Sequence, residues 1–274
     1  MGGQENDPDI AIIGAGRLGH GLAAALAKRG RKSVLFGREW DPTAVRQAKL
    51  VLLAVPDDAI TPLAAILAER QAISDVQIVL HLSGLLDRRA LEPLAATGAA
   101  RGSFHPLQTI SDPATAPERL EGAYAGIEGD DRALRAGRDL ATILDMKVVE
   151  ISSQAKPAYH AAASIVSNYT VTLLGIAERL AMEAGVPRET AAEIYLPLLH
   201  GTLANLMATT PAAALTGPIR RGDLQTLRAH FAALAPADGK LYRHLALAAL
   251  ELAVQAGLDQ AKAAEIEQFL AETS

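Results

Sequence analysis

The sequence predicts an N-terminal α/β domain with a doubly wound, mostly parallel sheet, followed by an all-helical domain. Up to residue 152, short apolar strands alternate with helical segments, as expected where helices cover both faces of a parallel sheet. From Pro157 onward the strand pattern disappears. The loop after the first strand has the spacing Gly-x-Gly-x-x-Gly. We therefore predict one domain in residues 1–152 and a second in residues 153–274.

The first strand, at residues 9–13, leads directly into this glycine loop, and a helix follows it to Lys28. Gly14 allows a tight turn, Gly16 lets the backbone approach a pyrophosphate, and Gly19 lets the helix pack closely on the strand. The free N–H groups and the positive dipole end of the helix favour a phosphate there. The residues predicted to bind a dinucleotide in this loop are Gly14, Ala15, Gly16, Arg17, Leu18 and Gly19.

A second strand, at residues 32–36, completes a βαβ unit and is followed by Gly37, Arg38 and Glu39. An acidic residue near this point binds the ribose hydroxyls of NAD, whereas an arginine suits the 2′-phosphate of NADP. Gly37 and Arg38 are therefore predicted to contact NADP. The alternative is a solvated Arg38 with Glu39 on the ribose of NAD.

The ends of the next strands are predicted to line the same crevice, because ligands of such sheets bind beyond the carboxyl ends of the strands. Val55 and Pro56 follow the third strand, and Ser83 follows the fourth, close to His81. We assign Val55, Pro56 and Ser83 to the cofactor. His105 follows the fifth strand, and we predict that it contacts substrate or nicotinamide, with a purely structural histidine as the alternative.

Further alternation completes about seven strands. Apolar segments at residues 123–127 and 147–151 flank a helical stretch at residues 131–144. Asp57 or Asp58 can cap the helix that follows the third strand.

The second half reads as five helices separated by glycine and proline, at residues 157–184, 188–208, 224–234, 239–256 and 259–272. At about 100° per residue, the first of them has a polar stripe and an opposite apolar face. The polar stripe is His160, Ser164, Ser167 and Asn168; the apolar face is Ala162, Ile165, Val166, Tyr169, Leu173, Ile176 and Leu180. Small polar residues at the start of an apolar helix indicate a substrate cleft, with an interhelical hydrogen-bond network as the alternative.

A polar loop at residues 215–226 is the other candidate substrate site. Arg221 suits the carboxylate of a small acid, although arginines more often lie on the surface. Thr216 and Asp223 are predicted to join it. A capping role for Asp223 at the helix that begins at Leu224 would explain that residue equally well.

Composition excludes several classes of function. The net charge of −5 gives no basic surface for nucleic acid. With no cysteines, the chain has no disulfide, thiolate metal site or cysteine nucleophile, and we expect no metal cofactor. No apolar run reaches the length of a membrane span, and residues 1–8 are polar rather than signal-like. We expect a cytoplasmic protein.

Together these motifs resemble a known family, the Rossmann-like oxidoreductases with a helical C-terminal domain of unknown function. Those proteins are relatives of ketopantoate reductase, pyrroline-5-carboxylate reductase and the β-hydroxyacid dehydrogenases. The motifs that carry the resemblance are the glycine loop, Phe36-Gly37-Arg38, Ala54-Val55-Pro56-Asp57, Phe104-His105-Pro106-Leu107-Gln108, Tyr159-His160-Ala161-Ala162, Ser167-Asn168, Leu215-Thr216-Gly217-Pro218 and Arg221-Gly222-Asp223. The resemblance implies NAD(P) binding by the first domain, hydride transfer beside the second, and a homodimer formed through the helical domain.

The resemblance also implies reduction of a small keto acid, but one feature departs from it. β-Hydroxyacid dehydrogenases have a catalytic lysine on the long helix, whereas this chain has His160 on that stripe and Lys156 just before it. Either could donate the proton, while Ser164 and Asn168 polarise the carbonyl. An imine reductase of the pyrroline-5-carboxylate reductase type and a non-catalytic NADP(H) sensor are the alternatives.

Overall fold

The computed structural model describes residues 9–273, so the polar segment at residues 1–8 lies outside the described residues. The chain forms two compact units, the first ending at Thr172 and the second beginning at Leu173. This division falls later than the boundary expected at residues 152/153, because the helix that follows the sheet is hydrogen-bonded to it through Lys156 and Tyr159.

The first unit contains the predicted sheet. Its seven strands are β1 (Ile10–Ile13), β2 (Ser33–Phe36), β3 (Leu50–Leu53), β4 (Ile78–His81), β5 (Ala100–Pro106), β6 (Tyr124–Gly129) and β7 (Lys147–Glu150). Their order is β2-β1-β3-β4-β5-β6-β7. Every neighbouring pair is parallel except β5 and β6. The prediction of a mostly parallel, doubly wound sheet is confirmed.

Apolar side chains cover both faces of this sheet, which is why its central strands read as continuous apolar runs. Ile12 and Leu52 belong to the core on one face. Their neighbours Ile13 and Leu53 belong to the core on the other face. Since β2 lies on one side of β1 and β3 on the other, the chain reverses direction across the sheet at β1, and this switch point is where such sheets bind ligands.

The helices of the first unit follow the strands as expected. They are α1 (Arg17–Lys28), α2 (Asp57–Glu69), α3 (Ala116–Leu120), α4 (Asp131–Ile143) and α5 (Lys156–Val166), with 3₁₀ helices at Pro42–Val45, Arg88–Thr97, Pro113–Thr115 and Ser153–Ala155. Helix α1 has the predicted bounds. The capping prediction for α2 is wrong: Pro56 occupies the N-cap position without a side-chain hydrogen bond, and Asp57 is already helical.

The long helix predicted at residues 157–184 is two helices, α5 and α6 (Asn168–Glu183), separated at Ser167. Thr170 donates its hydroxyl proton to the carbonyl of Val166 at 2.7 Å. The apolar face predicted for this segment is largely exposed, with Val166 75% and Ile165 59% accessible.

The second unit is helical, as predicted. After α6 it contains a 3₁₀ helix at Glu193–Tyr195 and the helices α7 (Leu196–Ala208), α8 (Pro211–Ala214), α9 (Pro218–Arg221), α10 (Leu224–Ala233), α11 (Pro236–Gln255) and α12 (Gln260–Glu272). Its core includes Leu227, Leu250 and Ile266. The helix expected at residues 188–208 begins only at Leu196, because a proline at residue 197 suits the first turn of a helix and not its interior.

Candidate functional site

Two glycines of the loop between β1 and α1 are required by packing. Gly14 has a φ of +117°, and a Cβ there would lie 2.3 Å from the carbonyl oxygen of Ala54 at the end of β3. A Cβ on Gly19 would lie 1.8 Å from the carbonyl oxygen of Gly14. These residues therefore have the roles that the spacing predicts, a tight turn and a close helix–strand contact.

Gly16 differs from the other two because a Cβ there would meet no atom within 4 Å. It is the N-cap residue of α1, so the free N–H groups of the first turn begin beside it. The absence of a side chain leaves open space at the positive end of the helix. This is the arrangement that lets a phosphate approach the backbone.

A cavity of about 540 Å³, the loop cavity, lies on one side of Gly16, between the ends of β1, β2 and β3. Arg38 and Trp40 form part of its wall, and the Trp40 ring packs 5.0 Å from that of Phe36. Arg38 is exposed and forms no ion pair with any residue in the described range 9–273. Its guanidinium is therefore available to a ligand.

A second cavity of about 480 Å³, the central cavity, lies on the other side of Gly16 and is bordered by Ser83, Gly84, His105 and His160. The two cavities bring together every predicted cofactor residue except Gly19, which packs beneath the loop. The residues that line one or both are Gly14, Ala15, Gly16, Arg17, Leu18, Gly37, Arg38, Val55, Pro56 and Ser83.

Ser83 organises the loop that follows β4. Its hydroxyl donates to the carboxylate of Asp57 at 2.8 Å and accepts from the backbone N–H groups of Leu85 and Leu86 at 3.1 and 2.9 Å. Because the hydroxyl is fully engaged, Ser83 shapes the wall of the central cavity through its backbone.

Lys156 is the first residue of α5, not the residue before it, and only 2% of its surface is exposed. Its ammonium donates to the carbonyl of Ser83 at 3.1 Å and to the hydroxyl of Ser103 at 2.7 Å. Burial lowers the pKa of Lys156 to about 8. Nearby carboxylates act in the opposite direction, and Glu128 contributes most among them. The side chain borders neither cavity and instead joins the loop after β4 to β5.

His81 is wholly buried at the end of β4 and is held within the same loop. Its Nε2 lies 3.1 Å from the carbonyl of Asp87, and its Nδ1 accepts from the N–H of Ser83 at 3.3 Å. Burial, and then the charge of Lys156, lower its pKa to about 4. His81 is thus a neutral structural histidine.

His105, at the end of β5, is half-buried and contacts a residue of α5. Its Nδ1 lies 3.0 Å from the hydroxyl of Tyr159, and the two rings meet edge to face. Burial, and then the nearby charges of His160 and Lys156, lower the pKa of His105 to about 4. Burial raises the pKa of Tyr159. Both groups are therefore neutral near pH 7.

His160 lies beside His105, with ring centroids 5.7 Å apart. Its Nδ1 is buried without a hydrogen-bond partner in the described part of the chain. Gly84 makes room for both rings, since a Cβ there would lie 2.5 Å from Nδ1 of His160 and 2.8 Å from the His105 ring. The nitrogen of His160 that faces the cavity is consequently Nε2.

A third cavity of about 470 Å³, the helix cavity, continues from the central cavity past His105 and His160. Ser164, Ser167 and Asn168 line it, as the polar stripe predicts. Among the described residues, its wall contains no lysine, arginine, aspartate or glutamate side chain. The helix cavity can therefore offer hydrogen bonds to a substrate but no ion pair with a lysine or an arginine.

Three predicted substrate residues belong to the second unit: Thr216, Arg221 and Asp223. Asp223 caps α10, because its carboxylate accepts from the N–H of Thr226 at 3.1 Å and from the Thr226 hydroxyl at 2.6 Å. The Arg221 side chain is 65% exposed, and its guanidinium lies 4.0 Å from the Asp223 carboxylate. A substrate-binding role for these residues stays a prediction.

Several residues of the site escaped the sequence reasoning. Tyr159 is adjacent to His160 in the sequence, but its contact with His105 spans 54 positions and has no local pattern. Gly84 and Ser103 were likewise unassigned. Gly84 could have been found from the sequence, because the Ser83-Gly84 pair directly follows β4, at the end of the strands where ligands bind to parallel sheets.

Residues 9–273 contain no group of three or more histidine and acidic side chains arranged to hold a metal ion. No helix in this range combines the length and the apolar character needed to cross a lipid bilayer.

Comparison with known families agrees with this architecture. Residues 39–106 match a Rossmann-like domain, and residues 123–266 match a domain of unknown function, DUF2520. The fold and glycine loop define a Rossmann-like domain joined to a helical domain. Because the second match covers more than half of the chain, the protein belongs to the DUF2520 family. No curated protein matches the sequence at a significant level.

Solved structures share the fold over almost the whole chain. A Bacteroides fragilis protein, provisionally named an NADP oxidoreductase, superposes with a TM-score of 0.70 at 23% identity, covering 89% of this chain and 98% of its own. Protein TM1727 from Thermotoga maritima gives 0.70 at 24% identity, with 90% and 98% covered. The Plasmodium falciparum pyrroline carboxylate reductase, solved with NADP bound, gives 0.61 at 13% identity, with 99% and 100% covered. These likenesses establish the fold.

The buried ammonium of Lys156 predicts a pH-dependent stability. In the unfolded chain this lysine keeps its proton up to its ordinary pKa of 10.5, whereas in the folded chain it loses it above about 8. Between these values the unfolded state holds more protons, so the free energy of unfolding rises with pH, by up to roughly 3 kcal/mol from this group. Denaturant unfolding of the wild type and of Lys156→Met measures this change. From pH 8 to 10 the free energy of unfolding of the wild type should rise relative to that of the variant. A difference between the two that stays constant with pH would contradict the lowered pKa of Lys156.

Proposed function

We propose that this chain is an NADP-dependent oxidoreductase that reduces the carbonyl of a small keto acid, such as ketopantoate, by hydride transfer. The observation that carries the proposal is the central cavity, where the N-terminus of α1 at Gly16 and the imidazole of His160 border the same space. A phosphate site and a proton donor are the two elements that such a reaction requires of the protein.

The residues of the first unit fit a dinucleotide. Pyrophosphate would lie at Gly16 on the N-terminus of α1, with the adenosine half in the loop cavity. The exposed guanidinium of Arg38 would bind a 2′-phosphate there. NADPH, when bound, supplies the hydride. Two proteins of this fold support the choice of coenzyme: one is provisionally named an NADP oxidoreductase and the other was solved with NADP bound.

His160 is the better candidate for the proton donor. It borders both the central and the helix cavities, and histidine can give up a proton near neutral pH. Lys156 borders neither, and two of its three N–H groups are engaged by Ser83 and Ser103. We therefore assign proton donation to His160 and the positioning of the surrounding loops to Lys156. Ser164 and Asn168 would orient the substrate.

We propose that Arg221 binds a substrate carboxylate, because its guanidinium is exposed and lies as far as 4.0 Å from the carboxylate of Asp223. Thr216 would contribute a hydroxyl from the same loop.

Reduction of a cyclic imine, as in pyrroline-5-carboxylate reductases, is the second candidate. The wall of the helix cavity, which contains no lysine, arginine or carboxylate side chain among the described residues, favours it, since an imine nitrogen is basic and demands less of a protein acid than a carbonyl oxygen. The fold is shared with a pyrroline carboxylate reductase. A sensor without catalytic activity would bind NADPH but would not oxidise it in the presence of any substrate. Ketopantoate and pyrroline-5-carboxylate, each assayed by NADPH absorbance, separate the three.

We also propose a homodimer formed through the helical domain. Helix α7 supports it, because Leu198 is 67% and Met207 88% exposed within the single chain. Exposed apolar residues on one helix are typical of subunit interfaces. The expected cytoplasmic location stays a prediction.

His160→Ala tests the assigned proton donor. We expect kcat to fall by roughly 10²- to 10⁴-fold with the better of the two substrates, the usual contribution of general acid catalysis, while the Kd for NADPH stays unchanged. The matched control is His20→Ala, an exposed histidine of α1. Full turnover by His160→Ala would show that the proton has another source.

Arg38→Ala tests the choice of coenzyme. Loss of one exposed arginine–phosphate contact should weaken NADPH binding roughly tenfold, or about 1.4 kcal/mol, and leave NADH binding unaffected. Arg31→Ala, at the opposite end of β2, is the control. Equal losses for both coenzymes would contradict a 2′-phosphate site, and calorimetric titration measures them.

A further inference from the structure

The contact between His105 and Tyr159 joins the end of β5 to α5. Gly126 on β6 is the register partner of His105, and the Tyr159 hydroxyl packs directly against it, because a Cβ on Gly126 would lie 2.6 Å from that oxygen. The missing side chain thus makes room for the phenol. Burial raises the pKa of Tyr159, so the phenol keeps its proton near pH 7.

The direction of the hydrogen bond follows from the chemistry of the two groups. A phenolic O–H is a stronger donor than the N–H of a neutral imidazole, and the unprotonated imidazole nitrogen is the stronger acceptor. In the described part of the chain, the nearest acceptor for the phenolic proton is Nδ1 of His105, at 3.0 Å. Tyr159 therefore donates and Nδ1 accepts. A neutral imidazole that accepts at Nδ1 must carry its proton on Nε2.

The Nε2 atom of His105 faces the ligand space. Nε2 of His105 has no hydrogen-bond partner among residues 9–273. In that range, Nδ1 of His160 is the one side-chain nitrogen or oxygen that is both buried and without a partner. Nε2 of His105 is therefore accessible. The ring borders the central and helix cavities at once. A donor N–H is consequently presented beside His160, where the two cavities join.

We propose that His105 is a neutral hydrogen-bond donor to the substrate atom that gains negative charge, and that Tyr159 is the positioning residue that fixes its tautomer. The proposal rests on the proposed reductase function and adds a second group to the site. Its donor is uncharged, as in other enzymes where an imidazole polarises a carbonyl.

The chemistry balances with one proton and one hydride. NADPH, when bound, would supply the hydride for the new C–H bond, and the π electrons of the C=O bond would move to oxygen. That oxygen accepts a hydrogen bond from Nε2 of His105 and takes its proton from His160. His105 keeps its own proton throughout, and NADP⁺ and the alcohol are the products.

The experiment reads the tautomer first. In ¹⁵N-histidine-labelled protein at pH 7, with resonances assigned by comparison with His105→Gln, we expect protonated Nε2 and an accepting Nδ1 for His105. Tyr159→Phe should mix the two tautomers, whereas Tyr124→Phe, an exposed tyrosine of β6, should not. A protonated Nδ1 in the wild type would overturn the proposal whatever the activity.

Kinetics then read the role of the donor. Tyr159→Phe should lower kcat by about tenfold, and His105→Ala by about 10²- to 10³-fold, with the KM for NADPH unchanged. His105→Gln should recover most of this loss because its amide N–H reaches the position of Nε2, whereas His105→Asn should not. Unchanged kcat in His105→Ala, with melting temperature retained, would overturn the catalytic role. If the tautomer is as expected but NADPH is oxidised with neither substrate, the reductase function fails while the tautomer assignment stands.

Discussion

The close approach of the glycine loop to the end of β3 is the constraint on which the site depends. The backbone of Gly14 packs closely against the carbonyl of Ala54, and the backbone of Gly19 packs closely against that of Gly14. No side chain larger than hydrogen fits at either point. These contacts fix the start of α1 at the switch point of the sheet, and they leave open space next to Gly16 at the N-terminus of the helix.

A second set of contacts fixes the opposite wall. The buried ammonium of Lys156 bonds to Ser83 and Ser103 and so ties α5 to the ends of β4 and β5. Burying a cation costs free energy, as its lowered pKa indicates. Its two hydrogen bonds hold the segments that carry Gly84 and His105 against α5, which carries His160. In the proposed function, this lysine contributes position and not a proton to the reacting atom.

Much of the fold could be predicted because its signals are local. Seven strands, the bounds of α1 and the helical second half follow from apolar runs and from glycine and proline. The break at Ser167 could not, since no glycine or proline marks it in the sequence. Half of the site was predictable for the same reason: the glycine loop is one contiguous motif.

The other half of the site is assembled from distant segments. The pairing of His105 with Tyr159 and the two hydrogen bonds of Lys156 join residues more than 50 positions apart. Sequence periodicity contains no information on such pairs. It could place His160 with Ser164 on one stripe of a helix, but it could not show that Lys156 turns away from the cavities or that Gly84 leaves room for two imidazoles.

The most direct test of the account is calorimetric titration of NADPH into the wild type and into Gly16→Ala. A Cβ at residue 16 would touch no protein atom, so the variant should fold with an unchanged melting temperature, yet its methyl group would occupy the space assigned to the pyrophosphate. We expect micromolar binding by the wild type, at least tenfold weaker binding by Gly16→Ala, and wild-type binding by Gly175→Ala, a control glycine of α6 that is equally unobstructed. Absence of heat with the wild type, or equal affinity in Gly16→Ala, would contradict the account.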